Sequence, residues 1–320
     1  MSWRPLAGVE LARARADLLR RVRSYFDDAG VLEVATPSLA PTTVTEPNIE
    51  SLRVMTRGRE WYLQTSPEYY MKRLLAAGYP DIWQASSCYR DGETGRRHLL
   101  EFTLVEWYRL GFDLDAVIGD TVALAGTMSP RLSAHAAVHL SYAGAFADAL
   151  GIDALDTDAR TVARALDADE GLCNSLGDDV DAWLDLALAT VVAPAFATDR
   201  LTVLHHYPAS QAALARRAPD APGTAERFEV FYGDLELANG FVELTDAGEQ
   251  RRRFEADRRK RHSAGLAVPA IDEALLDALA SGLPPCAGVA LGLDRVLMVD
   301  QGLDDIRDVV TFTAGGRDDD

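Results

Sequence analysis

The sequence predicts an α+β fold, an antiparallel sheet with helices packed against it. Three observations predict it. Apolar and aromatic runs come in locally joined pairs, "DIWQASSCYR" with "LLEFTLVEWYRL" and "RFEVFY" with "LELANGFVEL". Amphipathic stretches at helical spacing separate them, and "CAGVALGLDRVLM" passes from a glycine-punctuated strand straight into a helix. With 320 residues, 48% of them apolar, the chain can bury a large core.

The elements follow in order. Leu11, Leu18, Val22, Tyr25 and Phe26 recur near helical spacing, so residues 9–29 form an amphipathic helix closed at Gly30. "VLEVATP" is a short strand halted by Pro37, and the Pro- and Thr-rich "SLAPTTVTEPN" is irregular. In "WYLQTSPEYYMKRLLAAG" a strand precedes Ser66 as N-cap, Pro67 at the first helical position, a helix, and Gly78 as its stop. The connector "DGETGRRH" then joins two antiparallel strands as a mobile loop. From about 112 to 197 the chain is rich in Ala and Asp and mostly helical, with strand-like interruptions of open position. After "LTVLHHYP" come a hairpin, a charged helix over 246–264, a short helix over 271–281, and the glycine-rich strand and helix. No fixed-period repeat is present, and residues 315–320, "GGRDDD", read as a disordered tail.

Composition excludes several classes. No window reaches the roughly 18 apolar residues of a membrane span, and "MSWRPLAGVE" lacks a signal peptide's apolar core, so no membrane partner is expected and the cytoplasm is the expected compartment. Cys88, Cys173 and Cys286 lie far apart without metal-ligand spacing and are read as buried or idle thiols. A formal charge of -18 repels polyanions and gives no support to broad nucleic-acid binding, although a saline habitat would account for it equally.

Three glutamates interrupt the apolar hairpin. If Gly233-Asp234 is a two-residue turn, Phe231 faces Glu236 and Glu229 faces Ala238, which puts Glu229 and Glu236 on one sheet face. Two carboxylates that close call for a cation, and hard oxygen ligands beside a nucleotide suit magnesium. Glu243 lies an odd number of residues beyond Glu236, so a bulge at Asn239-Gly240 is needed to bring it to the same face. The competing reading makes Asn239-Gly240 the turn and the glutamates solvent-facing.

Other candidates are weaker singly. Arg90, Arg96, Arg97 and His98 gather on the strand connector, where a fixed arginine can fork onto phosphate, though surface arginines are usually only solvated. Phe102 can stack on a base or fill the core. Arg295, just after Gly288 and Gly292, can meet a nucleotide, yet no Walker loop is present. Ser66 and Glu68 have a plain role as helix cap and first-turn acid. His205-His206 is taken as structural, and the helix "EQRRRFEADRRKR", after the Asp246 to Glu249 capping-box pattern, as a salt-bridged solvent face.

Taken in order, these pieces resemble a known family. "FDDAGVLEVATPSL" resembles motif 1 of class II aminoacyl-tRNA synthetases, "CYRDGETGRRHLLEF" motif 2 and "GVALGLDR" motif 3. "SPEYYMKRLL", "EFTLVEWY" and "AERFEVFYGDLELANGFVELTDAGEQ" resemble the lysine-specific branch. Because the motif 1 helix starts near residue 9, no anticodon-binding OB domain is expected, and tRNA is not an expected partner. The chain therefore resembles the elongation factor P–lysine ligases, stand-alone paralogues of lysyl-tRNA synthetase. On this reading residues 1–314 form one synthetase-like catalytic domain that includes the helical 112–197 segment.

The resemblance implies that ATP and (R)-β-lysine, or lysine, form an aminoacyl-adenylate, and that a lysine of elongation factor P then attacks it. It implies that Glu229 and Glu236 hold Mg2+ against ATP, while Glu243 and Tyr108 meet the side-chain ammonium and Glu68 and Glu106 the other amine. Ser66, Asn239 and Ala290 would complete the amino-acid pocket. Arg90 would grip the α-phosphate, His98 the distal phosphates, and Phe102 the adenine. Glu93, Leu237 and Gly292 would line the nucleotide site, with Arg295 closing over it; Arg90 and Arg295 are the implied catalytic pair. A homodimer built through motif 1, near Pro37, is also implied.

Three departures stand out. Motif 2 reads Arg90-Asp91-Gly92, leaving Glu93 one place late for the adenine contact. Leu99 replaces an asparagine, and Ala290 stands where lysyl-tRNA synthetases prefer glycine, a change the ligases share. Two other readings stay open here, a truncated synthetase acting on tRNA and a paralogue that binds lysine or nucleotide without turnover.

Overall fold

The computed structural model describes residues 3–314; the tail expected at 315–320 lies outside the described residues. Helix α1 (Val9–Asp28) leads to β1 (Leu32–Glu33), β2 (Leu39–Ala40), β3 (Arg53–Thr56) and β4 (Arg59–Leu63). Next come α2 (Glu68–Ala76), β5 (Ile82–Tyr89) and β6 (Glu101–Leu110). The helical segment holds α3 (Leu114–Met128), α4 (Pro130–Ser133), β7 (Val138–Ser141), α5 (Tyr142–Leu150), α6 (Ala159–Ala165), α7 (Glu170–Leu176) and α8 (Val180–Ala187). The chain continues with β8 (Leu201–His205), β9 (Arg227–Tyr232), β10 (Leu235–Val242), α9 (Ala247–Ser263), α10 (Glu273–Gly282), β11 (Cys286–Gly292) and α11 (Leu293–Gln301).

Eight strands form one sheet in the order β1-β5-β6-β11-β10-β9-β8-β7. The six central strands are antiparallel, as expected, but both edges are parallel pairs, β1 with β5 and β7 with β8. The aspartates of the acidic composition have local work. Asp113, Asp158, Asp169, Asp179, Asp246 and Asp272 each accept a backbone N–H at a helix start, where a carboxylate also suits the helix dipole.

Strand alternation sorts the sheet into two faces. Trp83, Val105, Trp107, Phe228, Val230, Val242, Val289 and Leu291 point to the main core beneath α1, α3 and α11. Phe26 of α1 stacks on Trp83 with ring centroids 4.9 Å apart, which anchors the first helix. The 142–196 helices build a second core against Leu204, Tyr207 and Phe231. On the other face α2, α9 and α10 pack over Ile82, Tyr108 and Cys286, closing one end and leaving the centre open.

The hairpin turns at Gly233-Asp234, where Gly233 takes the positive φ (+58°) such turns demand. Glu236 faces Phe231 as expected, but the bulge sits one step earlier than the expected one. The register shifts between Glu236 and Ala238, so Leu237 is the extra residue and Glu229 faces Asn239, not Ala238. Gly240 serves a different purpose: a Cβ there would lie 2.7 Å from the Phe228 ring and 2.9 Å from the Gly288 carbonyl. The displaced bulge still achieves the required facing, because Glu236, Asn239, Phe241 and Glu243 now share one side.

Candidate active site

The open face carries a cavity of about 320 Å3. Strand β6 supplies Phe102, Leu104, Glu106 and Tyr108; β11 supplies Gly288, Ala290 and Gly292; β10 and its continuation supply Glu236, Leu237, Asn239, Phe241 and Glu243; β9 supplies Arg227 and Glu229. The β5–β6 connector adds Arg90, Glu93, Arg97, His98 and Leu99, and α11 adds Arg295. All three hairpin glutamates thus converge on one space. The solvent-facing alternative fails, since Glu229 and Glu243 are buried.

One end is rich in guanidinium groups. Arg295 Nη1 donates to the Glu236 carbonyl at 2.8 Å and lies 3.2 Å from Glu236 Oε2, while Nη2 is 2.9 Å from His98 Nε2. Burial and the Arg295 charge lower the His98 pKa, so the ring is neutral at pH 7 and accepts from Arg295. Arg295 is placed by its neighbour: buried Asp294 accepts from Thr103 N at 2.7 Å and from Arg15 of α1 at 2.5 Å, tying the start of α11 to β6. Arg97 reaches both oxygens of Asp234 at 2.8 Å, fastening the connector to the hairpin turn. The Arg90 guanidinium lies 5.2 Å from the Phe102 ring centroid, and its buried Nε has no partner among the described residues. Glu93 lies 3.5 Å from Arg90 and lines the same wall despite its shifted position.

Midway, Glu229 and Glu236 share a face. Burial and the Glu236 charge raise Glu229 to about 7, against Arg227, whose Nη2 donates to Glu229 Oε1 at 2.6 Å. Arg227 in turn stacks on Tyr207 at 4.5 Å and donates to the Gln211 carbonyl.

The far end is acidic. Glu106 accepts from Ser66 Oγ and from Tyr108 OH, each at 2.7 Å, and burial with the Glu68 charge raises it to about 8. Glu243 is raised to about 8 by burial, opposed by Lys72. Ser66 and Glu68, expected to touch substrate, do not line the cavity. Ser66 is occupied by Glu106 and by Glu68 N at 3.0 Å, and Glu68 pairs with Lys72 at 2.6 Å. Helix α2 begins at Glu68, with Pro67 in the cap position and not inside the first turn.

Residues 7–315 match the family described as tRNA synthetases class II (D, K and N). Curated relatives named "Elongation factor P--(R)-beta-lysine ligase" align over nearly the whole chain. That of Hamiltonella defensa subsp. Acyrthosiphon pisum (strain 5AT) is 41% identical over 97% of this chain and 97% of its own length. Those of Salmonella gallinarum (strain 287/91 / NCTC 13346) and Klebsiella pneumoniae (strain 342) are 42% and 43% identical, each over 98% of this chain and 97% of its own length. The chain belongs to the elongation factor P–(R)-β-lysine ligase family, within the class II tRNA synthetases.

Among ligase-family features, motif 3 supplies a floor between two polar walls. Ala290 pairs with Asn239 on one side and Glu106 on the other, so its methyl stands at the centre of the cavity floor. Leu99 presents an apolar wall where an asparagine was expected. Sequence reasoning passes over Lys72, Arg227 and Phe241. Lys72 follows Glu68 at the i,i+4 spacing of helical ion pairs, and Phe241 lies two strand positions from both Asn239 and Glu243, so periodicity alone would flag both. Arg227 carries no such signal. The His205 and His206 rings contact each other, and among the described residues no group of three or more His, Cys, Asp or Glu is arranged to hold a metal. Nor is any described helix long and apolar enough to cross a membrane.

Proposed function

We propose that this ligase activates (R)-β-lysine with ATP and transfers it to a lysine ε-amine of elongation factor P. The observation that carries the reading is a single cavity with arginines at one end and amine-matching acids at the other, in a chain more than 40% identical to ligases of that name. Glu243 and Glu106 receive the two ammonium groups, Tyr108 steadies Glu106, and the substrate carboxylate is left facing the arginine end. Its oxygen attacks the α-phosphate, forming an acyl–O–P bond as the bond to pyrophosphate breaks. Arg90 and Arg295 neutralise charge that grows on the phosphates, and Phe102 backs the adenine. The acceptor amine then attacks the acyl carbon, forms an amide and expels AMP.

Magnesium fits the donor set. Glu229 and Glu236 are two hard carboxylates on one face, Glu229 being raised by burial and then by the Glu236 charge, and Mg2+ prefers one or two carboxylates with phosphate and water filling the rest. Bound there it would offset phosphate charge. Arg227 holds one Glu229 oxygen at 2.6 Å and so fixes the carboxylate at the cavity wall. Glu68 is assigned to Lys72, not to substrate. A homodimer through motif 1 and a cytoplasmic setting, where ATP and elongation factor P occur together, complete the proposal. The test is ATP–pyrophosphate exchange: it should depend on β-lysine and fall at least a hundredfold in Arg295→Ala, and exchange that ignores the amino acid would refute it.

A further inference from the structure

Lys72 has no part in the chemistry above, yet it is among the most enclosed charges in the protein. Its side chain is 2% exposed, at the back of the acidic end. Nζ lies 2.6 Å from Glu68 Oε1, 2.5 Å from Glu243 Oε2 and 5.4 Å from the Phe241 ring centroid. Burial lowers its pKa, but the Glu243 and Glu68 carboxylates more than reverse that and hold it charged. A cation this costly to bury needs a reason.

The opposite oxygen of Glu243 supplies one. Both Glu243 oxygens are buried and make no well-aligned hydrogen bond among the described residues, but only Oε2 has the Lys72 ammonium against it, at 2.5 Å; Oε1 sits over Gly288, where a Cβ would come within 2.5 Å of it. Glu106 contrasts with it, since both of its oxygens already accept a hydrogen bond. We propose that Lys72 is a positioning residue for amino-acid recognition: its ammonium anchors Oε2 of Glu243 and so keeps Oε1 aimed into the cavity to accept a substrate ammonium. This rests on Glu243 being the ammonium receptor.

The groups facing Glu243 are Lys72 and Glu68 from α2, Glu106 and Tyr108 from β6, and Cys286 from β11. Lys72 alone among them favours its ionised form. Removing Lys72 therefore pushes Glu243 ionisation to higher pH, whereas removing Glu68 pushes it lower, because Lys72 then serves one carboxylate and a repelling charge is gone.

The experiment is ATP–pyrophosphate exchange from pH 6.5 to 9, with β-lysine and ATP titrated separately, on wild type, Lys72→Met, Glu68→Gln and Glu243→Gln. Lys72→Met should raise the KM for β-lysine about tenfold at pH 7, as a shift of one pKa unit implies. The KM for ATP should stay within twofold, and the loss should narrow as pH rises. Glu68→Gln, nearer the surface and a safeguard should Lys72→Met not fold, should move the acid limb of the β-lysine KM profile to lower pH. Equal changes in both KM values, or limbs that do not move in opposite directions, overturn the proposal; an unmoved limb in Glu68→Gln alone does so if Lys72→Met is not soluble. A β-lysine KM unchanged in Glu243→Gln would instead sink the receptor assignment itself.

Discussion

Gly288→Ala is a one-carbon perturbation whose cost can be worked from the geometry. A Cβ at position 288 would stand 2.7 Å from Tyr108 Cδ1, closer still to Cε1, and 2.5 Å from Glu243 Oε1. Tyr108 is 2% exposed and cannot swing into solvent. Ring and carboxylate must each retreat by about 1 Å to reach ordinary contact, against an interior packed like a crystal. Overpacking of this kind costs about 1–3 kcal/mol. In the substrate complex, where a bound ammonium keeps Glu106 ionised, the 2.7 Å bond from Tyr108 would lengthen beyond hydrogen-bond range, losing about 1.5–3 kcal/mol for a bond to a charged group. Most of the second sum should be felt in substrate binding, so the KM for β-lysine should rise at least tenfold while the KM for ATP changes little. Gly240→Ala is the control. It strikes Phe228 on the core face, and should lower Tm comparably yet leave the KM of the folded fraction near wild type. Thermal melts with pyrophosphate-exchange kinetics on both variants decide the matter. If Gly288→Ala binds β-lysine normally, or Gly240→Ala loses it equally, the division of the sheet into a core face and a substrate face is wrong.

Further outcomes follow from the same geometry. Ala290→Gly removes the methyl between Asn239 and Glu106, so the exchange reaction should shift towards α-lysine relative to β-lysine; unchanged preference refutes a role for that methyl. Glu236→Gln should raise the Mg2+ concentration for half-maximal exchange more than tenfold, and Mn2+ binding followed by electron paramagnetic resonance should weaken in parallel. Glu106 and Glu243 titrate near 8 and Glu229 near 7 in the folded state, all above the usual carboxylate range. Between about pH 5 and 8 the unfolded chain therefore holds fewer protons than the folded one, and ligand-free stability should fall as pH rises. The thermal stabilisation by β-lysine, whose ammonium groups relieve that repulsion, should grow over the same interval; an increment independent of pH would contradict it.

Much of this architecture is legible in the chain because local and global signals agree. The hairpin's alternation and the Gly233-Asp234 turn identify the strand pair and its first facing residues, and helix α1 follows from its apolar spacing. The bulge was legible as a necessity but not as a place. Asn239-Gly240 carries the local chemistry of a bulge, whereas the extra residue is Leu237, and Gly240 is needed because Phe228 occupies its Cβ space. That is a tertiary demand with no sequence signature. Likewise Ser66 and Glu68 sit at a helix start beside the cavity, but their partners, Glu106 and Lys72, draw them away from it. In the 112–197 segment the aspartates that blur the charge pattern turn out to be helix caps, so the boundaries lay in the residues that looked like mere acidity.

The most direct test of the whole account is intact-mass measurement of elongation factor P after incubation with this ligase, ATP, Mg2+ and (R)-β-lysine. The account predicts a gain of one β-lysyl group on a lysine side chain, dependent on ATP and lost in Glu243→Gln. An unchanged mass while pyrophosphate exchange proceeds, or amino acid recovered on tRNA instead, would contradict it.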